Sequence, residues 1–155
     1  MRQAKLLSVA GTLLLVVSAS SHLFAQEDVI SKRKNIMGVN SKDVKAIEGA
    51  AKEKDFATVQ LKAKEIMGGL DAAASLFPAG SDTGKTRAHP DIWTKPDEFK
   101  SRLLNARKVA EALSKAAEAK NEAEVNTKVK ELGGVRAGAC GECHKVFRAD
   151  FRKDG

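Results

Sequence analysis

Apolar residues recur every three or four positions along most of the chain, a spacing that places them on one face of a helix. The first such segment covers residues 28–51, with apolar positions at Ile30, Met37, Val44, Ile47 and Ala51. Arg33 and Asn40 interrupt this stripe. Because polar groups on a core-facing stripe need a buried partner or an exposed site, both residues are candidates for specific contacts.

Three further segments show the same spacing. The second covers residues 55–77 and is stopped by Pro78. The third starts near Pro96, which is favourable in a first helical turn. The fourth is capped by Asn121 and is predicted to continue as one helix to residue 151. The apolar positions of the three segments are Phe56, Val59, Ala63, Ile66, Leu70, Ala73 and Phe77; Phe99, Leu103, Ala106, Ala110, Leu113 and Ala117; and Val125, Val129, Leu132, Ala139, Cys143, Phe147 and Phe151.

The prolines of the chain, Pro78, Pro90 and Pro96, all lie between the second and third segments. Clustered helix breakers predict a long loop there. No segment alternates with period two for long enough to indicate a strand. The sequence therefore predicts an all-α fold, an antiparallel four-helix bundle with a long loop between helices 2 and 3.

Residues 1–25 have the order of a secretory signal: basic Arg2 and Lys5, an apolar run over residues 6–17, and a cleavage point after Ala25. The alternative is a membrane anchor, but the run is short for a hydrocarbon layer of about 30 Å. We therefore expect residues 1–25 to be cleaved and residues 26–155 to form the folded domain. The mature chain is expected in the periplasm.

The chain has 27 basic and 20 acidic side chains, and removal of Arg2 and Lys5 leaves a net charge of 25 − 20 = +5. The chain has no dense run of Lys and Arg, and few aromatic residues are interspersed among its basic residues. A nucleic-acid partner is therefore not expected. A mildly basic surface suits docking with an acidic protein, although such charges are also typical of a solvated face. No membrane span is expected after residue 25.

Cys140-Gly141-Glu142-Cys143-His144 is the attachment signature of c-type haem, in which two thiols add to the haem vinyl groups and the next imidazole binds iron. On a helix the two thiols and the imidazole share one face. Three alternatives fit less well. A thioredoxin-like dithiol needs neighbouring strands, a zinc site needs four ligands, and a structural disulfide gives no reason for the histidine.

Four glycines crowd this last segment: Gly133, Gly134, Gly138 and Gly141. Each lowers helix stability by about 1 kcal/mol relative to Ala. We interpret them as room for a flat, bulky group close to the helix backbone.

The chain after residue 25 resembles class II cytochromes c, the cytochrome c′ family, which place Cys-x-x-Cys-His near the C-terminus of a four-helix bundle. The resemblance rests on Arg33 with Met37, on residues 76–80 (Leu-Phe-Pro-Ala-Gly), on Ile92-Trp93 with Phe99, and on residues 140–148. It implies one haem c bound through Cys140 and Cys143, with His144 as the proximal iron ligand. Relatives in this family often pair through their first two helices. The charges on the outer helix faces of this chain are compatible with such a homodimer.

The resemblance assigns further haem contacts. Arg33 corresponds to an arginine near the propionates, Arg148 to one beside the proximal imidazole, and Thr86 with Arg87 to loop residues at the haem edge. Lys34 stands where many relatives have glutamine. Met37 stands where six-coordinate relatives have a methionine ligand and five-coordinate relatives a side chain that shields an empty position; packing away from haem is the third alternative for Met37.

These features favour single-electron transfer with redox protein partners. The second hypothesis is a gas-binding protein whose open iron position takes nitric oxide or carbon monoxide. An enzymatic role is not expected, because no distal histidine is available as acid and base. His89, in the long loop, is interpreted as a surface residue.

Overall fold

The structure is a computed structural model that describes residues 13–134 and 136–149, with side chains from residue 28 onward. The predicted signal, residues 1–25, and Phe151 lie outside the residues whose side chains are described. The helices are α1 (Leu13–Lys52), α2 (Phe56–Ala74), α3 (Asp91–Thr94), α4 (Pro96–Glu118), α5 (Glu122–Leu132) and α6 (Gly138–Phe147).

Two short turns reverse the chain between long helices. The Asp55 carboxylate accepts from the backbone N–H of Thr58 at 3.1 Å and starts α2. The Asn121 side chain accepts from the N–H of Glu124 at 3.2 Å and starts α5, as its predicted cap role requires. Turns of this length make α1 and α2, and likewise α4 and α5, antiparallel neighbours.

The helices form the predicted antiparallel bundle. α2 packs against α1 and α4, and α4 also packs against α5 and α6. Almost every described position of the predicted apolar stripes lies in one buried core. Met37 is the informative exception on α1, because it is only half-buried.

The long loop lies where the prolines predict it, over residues 75–90, and is followed by the unpredicted single turn of α3. Trp93 closes this end of the bundle. Its indole N–H donates to the carbonyl oxygens of Phe77 at 3.1 Å and Pro78 at 2.9 Å, and its ring meets Phe77 edge-on. The indole thereby satisfies carbonyl groups just beyond the end of α2.

The predicted single fourth helix is wrong. It is two helices, because the chain leaves helical geometry after Leu132 and resumes it at Gly138. Gly133 and Gly138 have φ of +56° and +61°, a region that favours glycine. A Cβ on Gly133 would lie 2.2 Å from the carbonyl oxygen of Ala137, and one on Gly141 would lie 2.5 Å from the carbonyl carbon of Arg136.

The interpretation of these four glycines as room for a flat, bulky group is therefore wrong for most of the positions. Gly133, Gly138 and Gly141 allow the chain to turn tightly on itself between α5 and α6. Gly134 alone of the four lines a cavity, and a Cβ there would meet nothing within 4 Å.

Alanine substitutions at two adjacent glycines of α2 are expected to have opposite effects on the free energy of unfolding. A Cβ on Gly68 would meet nothing within 4 Å, whereas one on Gly69 would lie 2.3 Å from Oδ1 of Asn40. We expect Gly68→Ala to raise the free energy of unfolding by about 1 kcal/mol through helix propensity. Gly69→Ala is expected to lower it by about 1 kcal/mol because the clash outweighs that gain. Chemical denaturation of the two variants measures the difference, and equal stabilities would contradict the close α1–α2 approach.

Among the described residues, no helix is long and apolar enough to cross a membrane.

Candidate functional site

α6 presents the two cysteines and the histidine of the motif on one face. Cys143 is buried and Cys140 partly buried, and neither is in a disulfide. Burial raises the pKa of each thiol to about 11, with the neighbouring Cys140 adding to the effect at Cys143. The thiols are therefore neutral at pH 7. The structure therefore gives no support to the disulfide alternative for the motif.

A zinc site is also unsupported. Zinc in structural sites is held by four ligands, commonly thiolates and imidazoles. Within residues 28–134 and 136–149 no group of three or more His, Cys, Asp or Glu side chains comes together to hold a metal.

The motif forms one wall of a cavity between α6 and the rest of the bundle. Cys140, Cys143 and His144 from α6 line it together with residues of α1. The cavity encloses about 540 Å³ including its open mouth. Its other lining residues are Met37, Asn40, Ser41 and Val44 from α1, Ile66 and Leu70 from α2, Leu103 and Ala106 from α4, and Gly134.

A wider recess adjoins the mouth of this cavity. Ser41, Val44 and Gly134 line both spaces, and Lys45 and Arg136 stand beside the wider recess with Glu48. The cavity thus opens to solvent between α1 and the connection from α5 to α6.

The residues around the cavity fit haem. Aliphatic side chains provide the dry surface that a flat macrocycle needs, and two thiols lie beside it for covalent attachment. His144 from α6 and Met37 from α1 both line the cavity, and imidazole and thioether are both established types of haem iron ligand. The donor set therefore matches an iron porphyrin rather than a bare metal ion.

Arg33 is buried but does not line the cavity. Its guanidinium donates to the Ser81 carbonyl oxygen at 2.7 Å and the Ser81 hydroxyl at 3.3 Å. It also lies over the Phe77 ring, 4.7 Å from the centroid. Burial lowers the pKa of the guanidinium. The expected buried partner of Arg33 is thus the long loop, and its role near haem propionates stays a prediction.

The loop that precedes α3 is clipped to the end of α6. Ala88 and Arg148 form an isolated antiparallel bridge, and the Arg87 guanidinium donates to the carbonyl oxygen of Ala149 at 2.6 Å. Burial, and next the nearby charge of Arg87, lowers the pKa of Arg148. Thr86 accepts from the N–H of Ala88 at 3.1 Å. These contacts hold two arginines close together beside the motif helix.

Of the predicted site residues, the structure brings Met37, Cys140, Cys143 and His144 to one cavity. Arg33, Thr86, Arg87 and Arg148 lie at the loop–bundle junction instead. Lys34 is exposed on α1. His89 in the loop has a side chain 44% exposed, and its Nδ1 accepts from the backbone N–H of Asp91 at 3.3 Å. Whether these residues contact haem stays a prediction.

Sequence reasoning did not assign Asn40 or Ser41 to the site. Both line the cavity on the same wall as Met37. The signal for Asn40 was its place on the apolar stripe of α1, three residues after Met37. Ser41 carried no comparable signal, because isolated serines are common on helix surfaces.

The family model described as Cytochrome C′ matches residues 28–148 of the chain. A cytochrome c′ of Rhodopseudomonas palustris is 36% identical over 149 residues, which cover 94% of this chain and 96% of that protein. A cytochrome c-554 of Cereibacter sphaeroides is 32% identical over 129 residues, covering 79% and 81% respectively.

Solved structures show the same fold. Cytochrome c prime from Shewanella frigidimarina superposes with a TM-score of 0.72 at 25% identity, covering 81% of this chain and 97% of that one. A nitric oxide complex of a variant cytochrome c prime from Alcaligenes xylosoxidans superposes with a TM-score of 0.71 at 20% identity, covering 81% and 96%. At 20% identity, the second similarity supports the fold only.

Proposed function

The chain belongs to the cytochrome c′ family, whose members are haem proteins and generally not enzymes; from that premise we propose that it carries one covalent haem c and transfers single electrons in the periplasm. The observation that supports this most is the cavity that joins the Cys140–His144 motif to Met37. Imidazole and thioether donors that line the same cavity suit an iron that changes oxidation state without exchanging ligands.

Cys140 and Cys143 would hold haem through thioether bonds, and His144 and Met37 would bind the iron. Bound there, haem supplies the ferric–ferrous couple. The protein's part is to hold the two ligands and exclude water. Ile66, Leu70 and Leu103 line the cavity with apolar surface, which limits the solvent reorganisation that accompanies electron transfer.

The partners in this proposal are redox proteins with acidic surfaces. Lys45 and Arg136 stand beside the recess at the cavity mouth, where a partner would come nearest to the bound cofactor. Opposite charge on the partner would steer the encounter and would be screened by salt. The predicted signal at residues 1–25 delivers the chain to the periplasm.

A second candidate function is the binding of nitric oxide or carbon monoxide at an open iron position. Two observations favour it. Met37 is half-buried rather than tightly packed, and the cavity has an open mouth. The fold neighbour from Alcaligenes xylosoxidans was determined as a nitric oxide complex. Met37 decides between the two functions.

An enzymatic role has no support in the cavity. The α1 wall carries Met37, Asn40, Ser41 and Val44, none of which titrates near pH 7. Peroxide or substrate activation needs a group there that takes and returns a proton.

A potentiometric titration of the purified mature protein tests the proposed function. We expect one reversible transition with a slope of about one electron, followed in the visible spectrum of haem. The haem should stay with the polypeptide through denaturation in acid–acetone. A haem-free protein that titrates as a two-electron dithiol would contradict the proposal.

A further inference from the structure

The α1 wall of the cavity carries a side-chain amide. Asn40 lies three residues after Met37, on the same face of α1, and both line the cavity. Asn40 is only 9% exposed. An amide this deeply buried needs hydrogen-bond partners, and a group bound in the mainly apolar cavity that it lines would supply one.

The backbone of α2 holds this amide in place. A Cβ on Gly69 would lie 2.3 Å from Oδ1 of Asn40 and 3.1 Å from Nδ2. The amide can take this position only because residue 69 has no side chain. Oδ1 is the amide atom nearer to Gly69, so the N–H donors are the end of the amide farther from α2.

We propose that Nδ2 of Asn40 donates a hydrogen bond to a small diatomic ligand bound to iron on the α1 side of the cavity. The proposal rests on the haem attachment at Cys140, Cys143 and His144 proposed above, and it concerns the iron position on the α1 side, which is open where Met37 does not bind iron or is replaced by Ala. Asn40 would then favour ligands whose outer atom carries partial negative charge.

Ser41 is a weaker candidate for this contact. It lines both the cavity and the open recess, so water competes for its hydroxyl group. A serine hydroxyl on a helix can also bond back to the carbonyl one turn earlier. Asn40 lines the cavity but not the open recess.

Carbon monoxide is the probe for the test, and Met37→Ala is the parent so that the iron position is open in every sample. Adding Asn40→Leu removes the donor and keeps a side chain of similar size. We expect the C–O stretching frequency of the ferrous complex to rise and carbon monoxide to dissociate about fivefold faster, the effect of one hydrogen bond of about 1 kcal/mol. Adding Met67→Ala, at a residue that lies outside the cavity, to the parent should change neither quantity.

Two glycine variants provide a second measurement that leaves the amide intact. In the same parent, Gly69→Ala should shift the C–O frequency because its methyl group displaces Asn40, whereas Gly68→Ala should leave it unchanged. If the Asn40→Leu protein does not fold, this pair decides, and equal frequencies overturn the proposal.

The proposed function and the role of Asn40 can each be contradicted separately. A parent protein without covalent haem overturns the proposed function and, with it, the role of Asn40. A parent with normal haem whose C–O frequency does not respond to Asn40→Leu overturns the role of Asn40 alone.

Discussion

Replacing both Cys140 and Cys143 by Ala is expected to abolish covalent haem, so that acid–acetone extraction leaves essentially none on the polypeptide. The thiols are partly or fully buried at the cavity wall, and they supply the only two thioether bonds that the chain can make, because it has two cysteines. Either single variant should keep one thioether and resist extraction in part. The mass of the denatured protein measures each case.

Val146→Ala is the matched control. Val146 lies on α6, partly buried against the same core, but it does not line the cavity. This variant removes apolar bulk from the motif helix without removing a thiol, and it should retain all covalent haem. Loss of haem from Val146→Ala as large as that from the double cysteine variant would mean that any weakening of α6 releases it, and attachment through the thiols would lose its support.

Helix positions follow from sequence because each apolar stripe reports one buried face. The break between α5 and α6 did not follow, and the reason is physical. Leu132 and Ala139 are seven residues apart, close to two helical turns, so the stripe keeps its phase across the break. The glycines carried the signal, since Gly133 directly follows the last turn of α5, where a residue with positive φ commonly ends a helix.

The motif could be predicted, since its chemistry is local to five residues. The contacts of the arginines could not. Arg33 bonds to Ser81, 48 positions later, and Arg87 bonds to Ala149, 62 positions later. Such pairings depend on how the long loop folds back over the bundle, which periodicity does not encode.

The role of Asn40 could be predicted only in part. Its place on an apolar stripe indicated a specific contact, but only the fold reveals that the neighbour is a glycine of α2 and that the amide lines the cavity. A polar residue on an apolar stripe therefore marks a position to inspect, while the partner comes from tertiary structure.

Met37→Ala is expected to change the spin state of the ferrous protein from low to high. Met37 lines the same cavity as the motif, and a methionine side chain is long and flexible enough to serve as an iron ligand. Removing the thioether opens an iron position, so carbon monoxide should bind rapidly where the wild-type protein binds it slowly or weakly. The midpoint potential should fall, because thioether ligation raises it. Visible spectra, carbon monoxide mixing and a redox titration measure the three effects.

Met67→Ala is the control, because Met67 packs against the core from α2 and does not line the cavity. It removes the same chemical group and should leave spin state, carbon monoxide binding and potential as in the wild type. The decisive comparison is the wild-type ferrous protein itself. If it is already high-spin and takes up carbon monoxide readily, Met37 is not a ligand. Its half-buried side chain then shields an open iron position, and gas binding replaces electron transfer as the function that the cavity supports.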